Sequence, residues 1–197
     1  MRVATWNLNS RRAGRGDRSA MVDLVSSVDL DVLLLQEVYR GEVADFAEAF
    51  EDAICSLDVE RSDGHTSGKV GCAILAKREV RLIEESAALL YELPQPERGL
   101  LVDAVTGSSP IQLLSWHAPS AAQHGRGGKE IAYRAVTDTL AALSGTAVVG
   151  MDTNMWHDRL GRGRGSERPA RVAVPVGSSR LATEARTARR LPRATRA

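Results

Sequence analysis

The chain has 197 residues, 43% of them hydrophobic and 26% charged, which is the make-up of one ordinary globular domain and excludes a collagen, a coiled coil or a wholly disordered chain. Its longest aliphatic run, Val32 to Leu35, stops at Gln36 and Glu37, and Met1-Arg2 leads into Val3-Ala4-Thr5-Trp6-Asn7 without a secretory pattern, so a cytoplasmic protein with no transmembrane segment is expected. The formal net charge of +1 conceals an asymmetry, because residues 1–158 carry 15 Lys and Arg against 23 Asp and Glu, whereas residues 159–197 carry 11 Arg against only Glu167 and Glu184.

Arg2 to Asn9 reads as a buried first strand ending in polar residues. Met21, Leu24, Val25 and Val28 recur at helical spacing, with Asp17 or Ser19 as candidate caps. Asp31 to Val38 is a second strand, too continuously apolar to have one face in water. Val43, Phe46, Ala47, Phe50, Ile54 and Leu57 fall on one face of a predicted amphipathic helix. Turn residues from Arg61 to Gly68 predict a loop. Gly71 to Ala76 and Val80 to Ile83 predict strands joined by the charged turn Lys77-Arg78-Glu79, and Leu93 to Glu97 a further loop. Leu100 to Val105 and Ile111 to Trp116 predict a hairpin around Gly107-Ser108-Ser109-Pro110. The stretch Gly125 to Gly128 reads as a loop before a helix with Ala132, Val136, Leu140 and Leu143 inward, and Ala147 to Met151 is the last predicted strand. This order predicts an α/β or α+β sandwich of sheets covered by helices.

The character changes after Asp158. Residues 159–197 use nine residue types, with no aromatic residue, Lys, Asp or His. Such a composition buries little apolar surface, so an Arg-rich, disordered tail is expected, separate from a domain over residues 1–158. A basic arm for nucleic acid is one alternative for it, and it also has the composition of GC-rich coding sequence read out of frame. The two cysteines, Cys55 and Cys72, lie in apolar surroundings and are expected as buried free thiols.

Polar residues with chemistry gather at strand ends. Asn7 follows the first strand, Glu37 the second, His117 the strand ending at Trp116, and Asp152 and Asn154 the last. Ligands of α/β sheets collect at the carboxyl ends of strands. Two carboxylates and an amide make an oxygen-rich site for Mg²⁺ or Mn²⁺, an ion that neutralises phosphate charge. A further carboxylate can orient a water, and a histidine can donate a proton or bind the phosphate. Each residue also has a bland reading: Asn7 as a turn residue, His117 as a turn histidine before Ala118-Pro119, and Asp152-Thr153-Asn154 as an Asx turn. Glu37, after four aliphatic residues, must be paired or coordinating. The Gly125-Arg126-Gly127-Gly128-Lys129-Glu130 stretch fails as a phosphate-binding loop, with Gln123 where the first glycine belongs and Glu130 where Ser or Thr belongs. The four histidines show no zinc spacing.

Four segments in this order resemble successive motifs of the endonuclease/exonuclease/phosphatase superfamily: Thr5-Trp6-Asn7-Leu8-Asn9, Asp31 to Val38 with its Gln36-Glu37 pair, Ser115-Trp116-His117-Ala118-Pro119, and Val149-Gly150-Met151-Asp152-Thr153-Asn154. Gly71 to Leu75 and Arg98 to Val102 also fit the family's intervening strands, so the resemblance covers roughly residues 1–156. It implies a four-layer sandwich of two β-sheets flanked by helices. It also implies a metal-dependent phosphoesterase that acts on a phosphate-ester substrate, nucleic acid among the candidates. By position, Glu37 is implied as the main Mg²⁺ or Mn²⁺ ligand with Asn7 beside it, Asp152 as the residue that orients the water, Asn154 and His117 as phosphate or leaving-group residues, and Arg98 as a contact to substrate phosphate.

The chain also departs from that family. Members carry a late Ser-Asp-His motif and a further Asp before it, and no counterpart follows Asn154, where His157 and Asp158 are the last of their kinds. The second sheet is therefore expected to be incomplete. The alternative to a hydrolase is a non-catalytic family remnant that binds a phosphate ligand or a partner.

Overall fold

The computed structural model describes residues 1–9, 15–46, 49–60 and 68–154. Two mixed sheets pack face to face. The first contains β1 (Val3–Asn7), β2 (Val32–Tyr39), β3 (Asp52–Cys55) and β4 (Val70–Ala76) in the order β1-β2-β4-β3. The second contains β5 (Val80–Leu82), β6 (Ala88–Leu89), β7 (Gly99–Thr106), β8 (Ser109–His117) and β9 (Thr146–Asp152) in the order β5-β7-β8-β9, with β6 also paired to β7. Each sheet has one parallel pair, β1 with β2 and β8 with β9; the other pairings are antiparallel.

Strand alternation builds the layers. Along β2, Val32 and Leu34 join Ile74 of β4 and Leu100, Val102 and Leu113 of the other sheet in the central core. Leu33 and Leu35 point the opposite way, into a second cluster with Val25 of α1 (Arg15–Ser27), Phe46 and Phe50. On the far side, Leu114 and Trp116 of β8 pack against Ala132, Ala135 and Val136 of α2 (Ala121–Ala142). The result is helix, sheet, sheet, helix, the expected four layers. All four residues from Val32 to Leu35 have no exposed surface, as a strand covered on both faces requires. Truncating one of them to alanine costs about 2–5 kcal/mol.

The structure corrects the sequence in three places. The helix expected from Val43 to Leu57 is instead a 3₁₀ turn over Glu42–Phe46 followed by the edge strand β3. Phe46, Phe50, Ile54 and Leu57 are still all buried, but Ile54 reaches the central core by pairing with Ile74. Ala47 lies outside the described residues. The glycine stretch expected as a loop lies inside α2, which is broken at Gly125, where φ is +67°. On α1, Val25 is buried, but Leu24 is 54% and Val28 42% exposed, and Asp17 and Ser19 lie within the helix rather than capping it. The predicted hairpin is present as β7 and β8, and Lys77-Arg78-Glu79 carries the chain from the first sheet to the second. Cys55 and Cys72 are buried free thiols. No helix among the described residues is long and apolar enough to cross a membrane. The loop expected at residues 61–67 and the Arg-rich segment 159–197 lie outside the described residues.

Candidate active site

The two parallel pairs position the site. In the first sheet, Asn7 stands opposite Gln36 in the β1–β2 register, so Asn7 and Glu37 leave the sheet side by side. In the second, His117 stands opposite Asp152. Asn7 Nδ2 donates to Asp152 Oδ2, which ties the end of β1 to the end of β9 across the sandwich.

A buried polar cluster holds the sheets in that alignment. Gln36 is only 1% exposed and continues the inward face of Val32 and Leu34. Its Nε2 donates to Ser115 Oγ at 2.9 Å and Thr5 Oγ1 at 3.1 Å, and Ser115 Oγ donates to Leu35 O at 2.8 Å. Both partner types, strand backbone and side chains of the opposite sheet, are thereby satisfied inside an apolar core. Gly150 allows this close approach: a Cβ there would lie 2.7 Å from both Leu34 Cβ and Thr5 Oγ1. Gln36 and Ser115 are functional residues that their own strand patterns identify only as polar positions among apolar ones.

The next residue breaks the pattern. The β2–β4 register shifts between Gln36 and Val38, and Glu37 occupies the left-handed region with φ +55°. Val38 then packs with Leu33 and Leu35 rather than on the face of Leu34, so one residue has been inserted into the alternation. This is a β-bulge, which re-aims a side chain at a cost of order 1–3 kcal/mol for a non-glycine residue in that region. The bulge frees Glu37 from both sheet faces.

Three groups meet at His117, which is 2% exposed. Its Nε2 lies 3.3 Å from Glu37 Oε1, 3.8 Å from Asp152 Oδ2 and 3.0 Å from Asn154 Nδ2. Its Nδ1 lies 3.3 Å from Arg98 Nη1. A guanidinium only donates, so Nδ1 must accept and the ring proton of neutral His117 sits on Nε2. That proton faces the carboxylates. It also stands beside the Asn154 amide, another donor, which hydrogen-bonds Ala118 O at 2.6 Å. Two N–H donors 3.0 Å apart suit an anionic oxygen placed between them. Arg98 is itself 6% exposed and reaches the rear nitrogen of the ring, away from the carboxylates.

Asp152 is fixed by two donors. Its Oδ2 accepts from Asn7, and its Oδ1 accepts from the Asn154 backbone N–H at 2.9 Å, the Asx turn read from the sequence. Asn154 closes that turn with φ +47°. All five strand-end residues, Asn7, Glu37, His117, Asp152 and Asn154, are thus brought together.

The donor chemistry fits a hard cation. Glu37 and Asp152 are partly exposed carboxylates, with 22% and 28% of their side chains accessible, and Asn7 Oδ1 accepts one bond, from Asn9 N–H at 2.8 Å. Among the described residues no three His, Cys, Asp or Glu side chains are clustered to enclose a metal ion. An open set of few oxygen ligands suits Mg²⁺, which keeps several waters. Behind the site, burial pushes the Cys72 thiol up to about 12, and its Sγ donates to Arg98 O at 3.2 Å. It is a packed, protonated thiol.

A family model described as the Endonuclease/Exonuclease/phosphatase family matches residues 4–196, beyond the last motif at Asn154. No curated protein matches the sequence. Among solved structures, D. rerio TDP2 complexed with a single-strand DNA product superposes with a TM-score of 0.60 and 16% identity, over 80% of this chain and 62% of that one. Truncated Caenorhabditis elegans TDP2 gives 0.58 and 20% identity, over 81% of this chain and 64% of that one. A mannosyl-6-phosphatase of Bacteroides thetaiotaomicron gives 0.51 and 17%, over 77% and 64%. The chain therefore spans less than two thirds of the length of each of these structures, and at such identities the likeness is one of fold.

Proposed function

The chain belongs to the endonuclease/exonuclease/phosphatase family, and we propose that it hydrolyses a phosphate ester by metal-assisted attack of water. The observation that carries this reading is the convergence on His117 Nε2 of two carboxylates, Glu37 at 3.3 Å and Asp152 at 3.8 Å, with a second N–H donor, Asn154, at 3.0 Å. Glu37 and the Asn7 amide oxygen would hold Mg²⁺ or Mn²⁺. When bound, such an ion neutralises phosphate charge and polarises a phosphoryl oxygen.

The chain's own residues supply the rest. Asp152, held by Asn7 and by the Asn154 backbone, orients the attacking water and accepts its proton as the new O–P bond forms. The bond to the leaving group breaks in line, and the leaving alkoxide takes a proton from solvent. The Nε2 proton of His117 and the Asn154 amide donate to a phosphoryl oxygen as its negative charge grows, a contribution of about 10²–10³ in rate per donor in comparable sites. Arg98 acts from behind by keeping that proton on Nε2, a positioning role in place of the direct phosphate contact expected from sequence.

The substrate is proposed as a phosphate ester, nucleic acid included. The D. rerio structure with single-strand DNA and the Bacteroides phosphatase support that breadth. The rival reading, a family member that binds phosphate without turnover, draws on the absence of a Ser-Asp-His motif after Asn154. The test is hydrolysis, with Mg²⁺, of plasmid DNA, abasic duplex, sphingomyelin, inositol phosphates and bis(p-nitrophenyl) phosphate by the wild type, Glu37→Ala and Asp152→Ala. Turnover lost in both variants supports the proposal. Turnover that survives both, or a wild type that binds inorganic phosphate and turns over nothing, defeats it.

A further inference from the structure

The glycine-rich start of α2 failed as a phosphate-binding loop, yet its lysine reaches the site. Lys129 Nζ donates to Asn154 O at 3.0 Å, and one turn later Tyr133 Oη donates to Thr153 O at 2.7 Å. The two donors sit at i and i+4 on one helix face, so a single rigid element grips two consecutive carbonyls. Those carbonyls flank the turn in which Asn154 takes φ +47°. A left-handed asparagine is tolerated rather than favoured, so it persists only where its surroundings impose it.

The same tyrosine touches the other half of the site. Its ring stands edge-on to Trp116 with centroids 5.1 Å apart and planes at 90°, and Trp116 immediately precedes His117. Lys129 Nζ lies 5.6 Å from the centroid of the Tyr133 ring, within cation–π range. Burial pushes the Tyr133 phenol above its ordinary value of 10.0, so it is a neutral donor near neutral pH. One side chain therefore packs on the end of β8 and hydrogen-bonds the segment after β9.

We infer that Tyr133 and Lys129 are positioning residues that hold Asn154 in its left-handed turn, with its amide aimed at His117. The break at Gly125 sets their helix over the turn: with φ +67° it lets the chain change direction before Lys129. Neither residue touches the carboxylates, so neither is assigned to the chemical step. The kinetic consequence rests on the proposed phosphoesterase function, whereas the structural claim does not.

The experiment uses the full chain and reads two signals. In ¹H–¹⁵N spectra, the backbone and side-chain amide resonances of Asn154, assigned with Asn154→Asp, are compared among wild type, Tyr133→Phe, Lys129→Met and Lys129→Arg. Tyr133→Phe keeps the ring on Trp116 and deletes only the hydroxyl. Both Tyr133→Phe and Lys129→Met are expected to move the Asn154 resonances in spectra that otherwise keep their dispersion, and Lys129→Arg to return them toward wild type. In hydrolysis of bis(p-nitrophenyl) phosphate with Mg²⁺, each loss is expected to lower kcat about five- to tenfold with KM little changed, the size of one lost hydrogen bond expressed at the transition state. Asn154 resonances at wild-type positions in both deletion variants overturn the inference, as does wild-type kcat in both. If the wild type turns over no substrate, the proposed function fails while the resonances still decide this inference.

Discussion

The two halves of the site arrive by different routes. In the first sheet, the parallel pair β1–β2 delivers Asn7 and Glu37, and Glu37 is turned outward by a bulge within the strand. In the second, the pair β8–β9 delivers His117 and Asp152 straight from the register, and Asn154 follows in a turn beyond the strand. The first half is anchored from inside, through Gln36 buried against Ser115 and Thr5. The second is anchored from outside, through α2. A half built into the core transmits a packing error to the fold, whereas a half gripped by a helix transmits it mainly to the geometry of the site.

That contrast is testable, and the largest effect belongs to the residue that the bulge presents. Glu37→Gln is expected to cut turnover of bis(p-nitrophenyl) phosphate roughly 10²–10³-fold with little change in melting temperature, measured by steady-state kinetics beside thermal unfolding. A large loss of stability instead would mean that Glu37 serves the fold. Arg98→Met comes next. It removes the donor that keeps the proton on Nε2 of His117, and about a tenfold or larger fall in kcat is expected, together with a changed pH–rate profile.

Gln36→Leu sharpens the comparison from the other side. It leaves Thr5 and Ser115 without their buried partner, so a loss of about 1–3 kcal/mol is expected in urea unfolding, accompanied by weaker turnover. Tyr133→Phe, by contrast, is expected to affect turnover with little effect on unfolding. If Gln36→Leu leaves stability unchanged, the distinction between an inner and an outer anchor falls.

The smallest effect appears only in alkali. Cys72 titrates in the folded chain at about 12 against an ordinary 9.0, and Cys55 at about 11. A raised folded value means that the native state holds its proton longer than the unfolded state. The thiols' contribution is therefore fully present below about pH 9 and is lost as pH rises from there through the folded values. Unfolding free energy measured across that range should fall less steeply in Cys72→Ala than in the wild type. An unchanged slope would show that the thiol is not sequestered.

Much of this was legible in the sequence because it is local. The continuous run Val32 to Leu35 announces a strand covered on both faces, and the hairpin around Gly107 follows from its turn residues. Asn7, Glu37, His117 and Asp152 were recognisable because strands that end in polar residues place them at one edge of a sandwich. What escaped was set by contacts distant in sequence. The spacing of Val43, Phe46, Phe50, Ile54 and Leu57 satisfies a helical face, but β3 is only four residues long, too short to show alternation, and forms by pairing with β4. The insertion at Glu37 has no marker in β2 itself, since only the phase of Val38 against β4 reveals it. The grip of Lys129 and Tyr133 on Thr153 and Asn154 depends on a helix path that a stretch of glycines disguised as a loop.

The central claim is that the two halves form one site around a single phosphate. The most direct measurement is a double-mutant comparison of Glu37→Ala, Asp152→Ala and the combined variant in Mg²⁺-dependent hydrolysis of bis(p-nitrophenyl) phosphate. Residues that act as one unit lose activity together rather than cumulatively. The double variant is therefore expected to retain about the activity of the weaker single variant. Losses that multiply, or full activity in either single variant, would contradict a site shared between the two sheets.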